Sequence, residues 1–439
     1  MAAAKRAFAQ LRGPCGVEKS VQVSHGPRGR GLFVEKEGIR AGTALLSVPR
    51  DVWYPFSAAA MRSSAPAEFV AKLDEVAAPL GARGVMFTAA TLTTLGLVYS
   101  SGELFEAYRA TLPENHDEEE WNPCLWSTDQ LGELETSTVA RDAVTFRNLC
   151  DATAQNLSLA LPTQDFVRLS CLVRSRAVSF RTKTDTGFFF GLVPGLDLAN
   201  HDPFRPTATL TFDGRSGPCV LRAREDLSPG TEVTFDYGPL GNAALLRVYG
   251  FTMDDNPFNF VELDPEEVVF AAKRRDLSVP PWGSSPSASW YSAGIASGSS
   301  NSSSSSSSRE DDDTSSEPKK DRISLEAKEP EHSLRALGEV VGEAKAREAL
   351  AAIVEANYLQ GALEEGAAGW ANLFQLGTAL SRAANAGPTF VRTIHEDRDF
   401  LNEERKRDTW RHHAVRTRLG EKLIWLALLE RLRRTEERG

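Results

Sequence analysis

The stretch LDLANHDP, residues 196–203, follows closely on the apolar run over residues 188–193. It places Asp197, Asn200 and His201 in a polar cluster after what the apolar run predicts to be a strand. A metal site would need further ligands at suitable spacing, and the other histidines are scattered along the chain. On its own, an Asn-His pair is more typical of a turn than of an active site.

Two other short motifs stand on either side of this stretch. Upstream, GRG at residues 29–31 invites comparison with a dinucleotide-binding loop, but that motif needs a helix after the glycines, and residues 32–34 continue as a strand. The motif alone therefore predicts a hairpin turn. Downstream, EVTFDYG at residues 232–238 is typical of a strand, and its tyrosine, Tyr237, precedes a glycine. By itself that tyrosine indicates a packed strand end.

The chain alternates between β-rich and helical segments. Residues 17–49 contain three short β-rich runs, residues 57–173 carry apolar residues at helical spacing, and residues 188–237 return to strands. From about 279 to 325 the chain becomes rich in Pro and Ser and then acidic, a composition that cannot bury enough apolar surface to fold. Helical spacing resumes beyond it. The last apolar stripe consists of Leu419, Leu423 and Leu426.

The composition narrows the class of protein and its compartment. The 439 residues carry 50 Lys and Arg against 60 Asp and Glu, a formal net charge of −10, which argues against a general polyanion binder. No apolar run approaches the roughly 18 residues of a membrane helix. The five cysteines form no CxxC pair, which favours a reducing compartment without disulfides or structural zinc. The basic N-terminus is short and lacks an apolar segment, so the sequence predicts a cytoplasmic or nuclear protein; it does not support organellar targeting and does not exclude it.

The order of the three motifs is more specific than any one of them. A Gly-x-Gly at the start of a β segment, an Asn-His after an apolar strand and an Asp-Tyr-Gly after two further strands resemble the SET-domain methyltransferases. The helical segment between them, with VRSRA at residues 173–177, resembles the class of the Rubisco large-subunit methyltransferase. Further matches to that class are Tyr108, Leu112-Pro113, Cys124-Leu125-Trp126, Tyr237-Gly238-Pro239, Asn242-Ala243, Val248-Tyr249-Gly250-Phe251, Thr393-Ile394, Asp397-Arg398 and residues 414–429.

The resemblance implies an α+β fold, in which a β-rich SET fold of small, pseudoknotted sheets carries a helical insertion and a C-terminal all-α domain. In this chain it implies an N-terminal tail over residues 1–16 and a SET domain over residues 17–256, with the helical insertion at about 57–173. A helical substrate-binding domain would follow over residues 257–439. It would contain a disordered Ser-rich and acidic insertion at about 279–325.

The resemblance also implies transfer of a methyl group from S-adenosylmethionine (AdoMet) to a protein lysine, without a metal. The acceptor amine must be neutral, and both a sulfonium and an apolar channel lower its pKa. Tyr237 would be catalytic and would also contact the cofactor. The other residues expected to bind the cofactor are Gly29, Arg30, Gly31, Ser175, Arg176, Asp197, Asn200 and His201. Those expected to line the substrate channel are Asp197, Tyr237, Tyr249 and Val178.

Alternatives stay open for the acceptor and for the activity. The class includes a histidine methyltransferase, but Val178, two residues after Arg176, is apolar and favours the aliphatic stem of a lysine. A catalytically silent SET-fold adaptor is the other alternative, since a scaffold can outlast its activity. The expected partner is a folded, non-histone protein docked by the C-terminal helices. No direct binding to nucleic acid or to membrane is expected, and the chain is expected to be a monomer.

The sequence departs from the class at two positions. Arg28 stands where many relatives have an acidic residue, so we expect an altered affinity for the cofactor. Relatives often place a tyrosine in the strand after Asn-His, but residues 206–212 contain none. The acceptor channel is therefore expected to be less aromatic, and the methylation state of the product does not follow from the sequence.

Overall fold

The structure is a computed structural model, and it describes residues 2–78, 82–113, 121–135, 137–181, 188–212, 217–263, 323–325, 392–403 and 409–436. These residues form two compact units. The first holds the described residues up to 113 and those from 148 to 239, and the second holds those from 121 to 147 and from 240 onward. The domain boundaries inferred from the sequence stay predictions. Apart from residues 323–325, the Ser-rich and acidic insertion lies outside the described residues.

The strands are short and form small sheets. In chain order they are β1 (Val21–Gly26), β2 (Gly29–Val34), β3 (Ala44–Val48), β4 (Val178–Arg181), β5 (Phe188–Gly191), β6 (Asn200–His201), β7 (Ala208–Phe212), β8 (Cys219–Ala223), β9 (Glu232–Phe235), β10 (Val261–Leu263) and β11 (Ile323–Leu325). Among the described residues, the sheets have the strand orders β1-β2-β9-β6, β3-β8-β7, β4-β5 and β10-β11. The first three of these sheets belong to the first unit.

Strands β1 and β2 form the hairpin that the GRG motif predicts. Val23 pairs with Leu32, and both side chains are buried, because alternate residues of a strand face the same side. Gly26 pairs with Gly29, so the connection is two residues long. Gly29 has a φ of +85°, in the left-handed region that glycine adopts without a steric penalty.

Strand β9 comes from the end of the first unit and lies inside the sheet that the hairpin begins. It pairs antiparallel with β2, where Val233 faces the buried Leu32. On its other side it pairs parallel with the two-residue strand β6. Because β6 is the Asn-His pair, this arrangement puts Asn200 and His201 beside the strand that leads into Tyr237.

Helices fill the stretch between the two β-rich blocks, where the sequence predicts a helical insertion. In chain order the helices of the described residues are α1 (Ala2–Leu11), α2 (Arg50–Trp53), α3 (Ala58–Ser64), α4 (Ala67–Ala77), α5 (Ala82–Tyr99), α6 (Glu103–Arg109), α7 (Thr128–Gly132), α8 (Thr138–Asn156), α9 (Thr163–Arg176), α10 (Asn242–Tyr249), α11 (Ile394–Glu403) and α12 (Trp410–Glu436). Aromatic packing anchors α6, since the Phe56 ring lies 4.2 Å from Phe105 and 5.1 Å from Tyr108 between centroids.

Most of the predicted N-terminal tail, residues 1–16, is helical, because Ala2–Leu11 form α1. The helix packs on β1 and α6, and its side chains Phe8 and Leu11 are at most 1% exposed. Lys5 and Arg6 are exposed on its other face. The segment is therefore a short amphipathic helix, with its basic residues on the exposed face and its apolar residues on the buried face.

Helix α12 of the second unit buries charged side chains where the sequence predicts a leucine stripe. Arg418 and Lys422 are at most 1% exposed, whereas Leu423 is exposed. Asp397 of α11 accepts hydrogen bonds from both, at 2.6 Å from Arg418 Nη2 and 2.6 Å from Lys422 Nζ. Glu135 places a second carboxylate 3.2 Å from Lys422 Nζ. The predicted leucine stripe is therefore wrong at Leu423. The helix buries Arg418 and Lys422 instead, which is possible because these charges are paired and hydrogen-bonded.

Two further expectations concern the cysteines and membrane helices. All five cysteines are buried and free. Within the described ranges, no single helix is long and apolar enough to cross a membrane. One pair, residues 84–99 and 103–109, meets that criterion only jointly, by length and composition, and is bent by 106°.

Replacing Leu11 by alanine should destabilise the protein, although the residue lies in the predicted tail. Leu11 is 0% exposed, so its truncation leaves a cavity, and we expect the free energy of unfolding to fall by about 2–4 kcal/mol. Urea denaturation followed by tryptophan fluorescence measures this change. Gln10→Ala, at an exposed position of the same helix, is the control. Equal stability of the two variants would show that α1 is not part of the folded unit.

Replacing Asp397 by asparagine should destabilise the second unit. The change leaves the buried Arg418 and Lys422 with one carboxylate fewer, and breaking a buried ion pair in this way typically costs about 3–5 kcal/mol. Thermal denaturation followed by circular dichroism measures the loss. Asp399→Asn is the matched control, since Asp399 lies on the same helix with a side chain 53% exposed. A D397N variant as stable as D399N would mean that the buried cluster does not hold α11 and α12 together.

Candidate active site

The pairing of β6 with β9 brings the Asn-His pair to Tyr237. His201 Nδ1 accepts the backbone N–H of Tyr237 at 3.0 Å. The two rings stack with centroids 4.8 Å apart and planes 30° from parallel. The Tyr237 ring also lies 4.8 Å from Phe235. The tyrosine ring is thus packed against two aromatic neighbours, which fixes the position of its hydroxyl.

His201 is a neutral imidazole in this setting. Its side chain is 1% exposed, and burial lowers its pKa below the usual range, although Asp236 opposes that shift. Because Nδ1 accepts the Tyr237 N–H, the proton of the neutral ring sits on Nε2. The geometry therefore gives His201 the task of holding the Tyr237 backbone.

The hydroxyl of Tyr237 has a defined direction. It donates to the backbone carbonyl of Ala199 at 2.8 Å, and Ala199 is fully buried one residue before Asn200. Since the hydroxyl proton is used in this bond, the oxygen acts as an acceptor toward any other group. An acceptor oxygen suits an amine N–H and also a methyl group that carries partial positive charge.

Asn200 closes against the hairpin at Gly31. Its Nδ2 donates to Glu232 Oε1 at 2.7 Å and to the Arg30 carbonyl at 3.3 Å. A Cβ built on Gly31 would lie 2.7 Å from Asn200 Nδ2 and 2.9 Å from Glu232 Oε1. Only glycine leaves room for this approach. The second glycine of the motif therefore has a steric role at the site, and the first, Gly29, serves the turn.

A second group of polar residues surrounds Asp197. Its Oδ2 accepts from the Tyr108 hydroxyl at 3.1 Å and lies 3.4 Å from Arg176 Nε. The Asp197 side chain is 1% exposed, and burial raises its pKa, against the opposing effects of Arg176 and the tyrosine. Burial and the nearby Asp197 also raise the pKa of Tyr108, so this phenol stays protonated. Arg176 in turn donates from Nη1 to Ser175 Oγ at 3.0 Å.

Arg30 connects the two groups of residues. Its backbone carbonyl accepts from Asn200, and its guanidinium lies close enough to Asp197 to lower the pKa of that carboxyl in part. Asp197 Oδ1 is buried, and no described residue hydrogen-bonds to it. A buried carboxylate oxygen without a donor is costly. Its position is suited to a ligand that brings a donor or a positive charge.

These residues fit a nucleoside that carries an amino-acid arm. The planar fork of Arg176 suits a carboxylate, and Asp197 Oδ1 suits a cationic group. Within the described part of the chain, no group of three or more His, Cys, Asp or Glu side chains is placed to hold a metal ion.

Two further residues are predicted to line the channel. Val178 is the first residue of β4 and is half-buried. Tyr249 is the last residue of α10 in the second unit, and burial raises its pKa above the usual range. Their role in a substrate channel stays a prediction.

The sequence does not reveal three contributors to the site. They are the Ala199 carbonyl, the carboxylate of Glu232 and the hydroxyl of Tyr108. A backbone carbonyl leaves no sequence signal, and Glu232 reads as an ordinary strand residue. Tyr108 lies on the apolar face of α6, and its partner Asp197 is 89 positions away.

Comparisons with known proteins support the fold. No family model matches the chain. Over 72 residues, 16% of this chain, it is 36% identical to the ribosomal lysine N-methyltransferase set10 of Schizosaccharomyces pombe, and the match spans 13% of that protein's length. Among solved structures, the SET domain of LSMT bound to lysine and AdoHcy matches 99% of this chain and 92% of its own, with a TM-score of 0.56 at 17% identity. Rubisco LSMT bound to AdoMet matches with the same four values.

The chain therefore has the SET fold of Rubisco LSMT, with a helical C-terminal region. This confirms the predicted fold class and the predicted resemblance at the level of the fold. The sequence motifs that carried the prediction, GRG, Asn-His and Asp-Tyr-Gly, are the segments that the strands β2, β6 and β9 bring together.

Replacing Gly31 by alanine should weaken binding of AdoHcy by at least about ten-fold. The added Cβ would collide with Asn200 Nδ2 and Glu232 Oε1, and losing one charge-assisted hydrogen bond is worth about this much. Isothermal titration calorimetry measures the affinity. Gly13→Ala is the control, because a Cβ at Gly13 meets no atom within 4 Å. Unchanged affinity in G31A would place the ligand site elsewhere.

Proposed function

We propose that the protein is an AdoMet-dependent protein-lysine N-methyltransferase that acts on a folded, non-histone protein. The observation that carries the proposal is the Tyr237 hydroxyl, which donates to the backbone carbonyl of Ala199, one residue before the Asn-His pair. This arrangement presents a fixed acceptor oxygen next to that pair. The lysine methyltransferase activity named for the yeast relative supports lysine as the acceptor.

The chain's own residues would hold the cofactor in distinct ways. Asn200 and His201 would contact its amino-acid moiety and adenine, Gly29, Arg30 and Gly31 would close over it, and Arg176 beside Ser175 would bind its carboxylate. The cofactor would supply a methyl group on a positively charged sulfur. No metal is needed for this chemistry, because the leaving group is already activated.

Tyr237 would orient the acceptor amine. A lysine must lose its proton before it attacks, and removal from water together with a nearby positive charge lowers its pKa. The acceptor oxygen of Tyr237 then aligns the amine through an N–H bond and contacts the partly positive methyl group through CH···O interactions. Asp197 would line the junction of the two sites, where Oδ1 offers another acceptor.

The partner and compartment belong to the same proposal. The C-terminal helices would dock the substrate protein, and the net charge of −10 speaks against nucleic acid as the partner. Rubisco LSMT was solved with lysine derivatives, which supports an exposed lysine side chain as the ligand. We propose a monomer in the cytoplasm or nucleus, without direct contact with a membrane.

Replacing Tyr237 by phenylalanine should lower methyl transfer by about 100-fold, because it removes a preorganised polar group from the reacting atoms. The assay is transfer from radiolabelled AdoMet into proteins of the source organism's lysate, with labelled bands identified by mass spectrometry. Tyr99→Phe is the matched control, since Tyr99 is 56% exposed on α5.

Each outcome of this assay assigns a function. A Tyr237-dependent label on lysine supports the proposal, whereas a label on histidine would identify histidine as the acceptor instead of lysine. Label that persists at the wild-type level in Y237F would refute the role of the tyrosine. If calorimetry detects no AdoHcy binding to the wild type, the silent adaptor becomes the better account of the fold.

A further inference from the structure

Glu232 receives hydrogen bonds on both of its carboxylate oxygens. Oε1 accepts from Asn200 Nδ2 at 2.7 Å, and Oε2 accepts from Arg28 Nη1 at 3.0 Å. The Glu232 side chain is only 9% exposed, so a change in either partner alters the hydrogen bonding of the carboxylate. The residue therefore links the hairpin turn to the Asn-His pair.

The bond from Asn200 fixes which way its amide lies. Its NH₂ group faces three acceptors, namely Glu232 Oε1, the Arg30 carbonyl and, at 3.5 Å, the Arg28 carbonyl. The flipped amide would set its own oxygen against these oxygens, which is repulsive. The observed orientation directs the Asn200 side-chain carbonyl away from Glu232, where it can accept a hydrogen bond from a ligand.

Arg28 holds Glu232 in this position. Its guanidinium also binds Asp202, with Nη2 at 2.6 Å from Oδ2, so one cation bridges two carboxylates whose side chains are 9% and 14% exposed. The planar fork of arginine matches such a bridge, whereas a point charge does not. Without Arg28 the two carboxylates would repel each other, and Glu232 would be free to leave Asn200.

From this geometry we infer that Glu232 is a positioning residue for the cofactor's amino-acid arm, acting through the orientation of Asn200, and that Arg28 holds Glu232 in place. The inference rests on the proposed function. The α-ammonium is the strongest donor that the cofactor offers to a neutral carbonyl oxygen, because it is charged. Many relatives have an acidic residue at this position, whereas in this chain Arg28 holds Glu232 in place.

The substitution Glu232→Gln tests the inference with almost no change in shape. Glutamine has one acceptor oxygen and one NH₂, so it must face either Asn200 Nδ2 or Arg28 with a donor against a donor. We expect E232Q to bind AdoHcy about ten-fold more weakly. Binding of 5′-methylthioadenosine, which lacks the amino-acid arm, should stay within about two-fold of the wild type. Calorimetry with both ligands gives the two affinities.

The double variant Arg28→Gln/Glu232→Gln distinguishes an effect that Glu232 exerts through Asn200 from a general disruption of the site. Without the Arg28 guanidinium, the glutamine at 232 is free to turn its oxygen toward Asn200, so the double variant should regain part of the AdoHcy affinity that E232Q loses. Glu37→Gln is the control, since it breaks a surface ion pair with Lys19 whose side chains are 79% and 71% exposed. Thermal unfolding without ligand verifies that each variant is folded.

Several results would overturn the inference. Unchanged AdoHcy affinity in E232Q, equal weakening of both ligands, or a further loss in the double variant would each refute it while leaving the methyltransferase proposal intact. Failure of the wild type to bind AdoHcy would refute both. Selective loss of AdoHcy binding in E232Q, with partial recovery in the double variant, is the result that supports the inference.

Discussion

The candidate site depends on a parallel contact only two residues long, in which Asn200 pairs with Thr234 and His201 with Phe235. So short a ladder is weak by itself, and its neighbours supply the support. Thr207, directly before β7, bridges to β9: its hydroxyl accepts the Thr234 N–H at 2.8 Å and donates to the Glu232 carbonyl at 3.0 Å. On the far side, β2 pairs with β9. The geometry of the candidate site is therefore set by backbone pairing between segments distant in sequence.

Much of the fold could be predicted because its signals are local. The β-rich runs in residues 17–49 become β1, β2 and β3, and the hairpin follows from two residues between Gly26 and Gly29. The helical spacing before residue 173 becomes α9, which ends at Arg176. The Asn-His and Asp-Tyr-Gly motifs could also be found, but their adjacency follows from the resemblance and not from either motif alone.

The rest could not be predicted because it depends on distant partners. Tyr108 is typical of a helix core until Asp197 meets its hydroxyl from 89 positions away. Arg418 and Lys422 interrupt the apolar pattern of α12 and so suggest a solvated face, yet Asp397 makes their burial possible. In α1 the exposed Lys5 and Arg6 suggest a solvated tail, yet Phe8 and Leu11 are buried and the helix packs on β1 and α6. A sequence window shows a side chain's type but not its partner.

The hairpin provides both space for a close backbone approach and positive charge at the site. Glycine at position 31 lets the backbone approach Asn200. The arginines at positions 28 and 30 place positive charge near two carboxylates, Arg28 near Glu232 and Arg30 near Asp197. Arg28, whose own side chain is 45% exposed, binds Glu232 and Asp202. Arg30 acts on the buried Asp197, where screening is weaker. The GRG motif is weak evidence in isolation because either property, space or charge, has many uses. At this site both occur in adjacent residues, since Gly31 approaches Asn200 and Arg30 lies near Asp197.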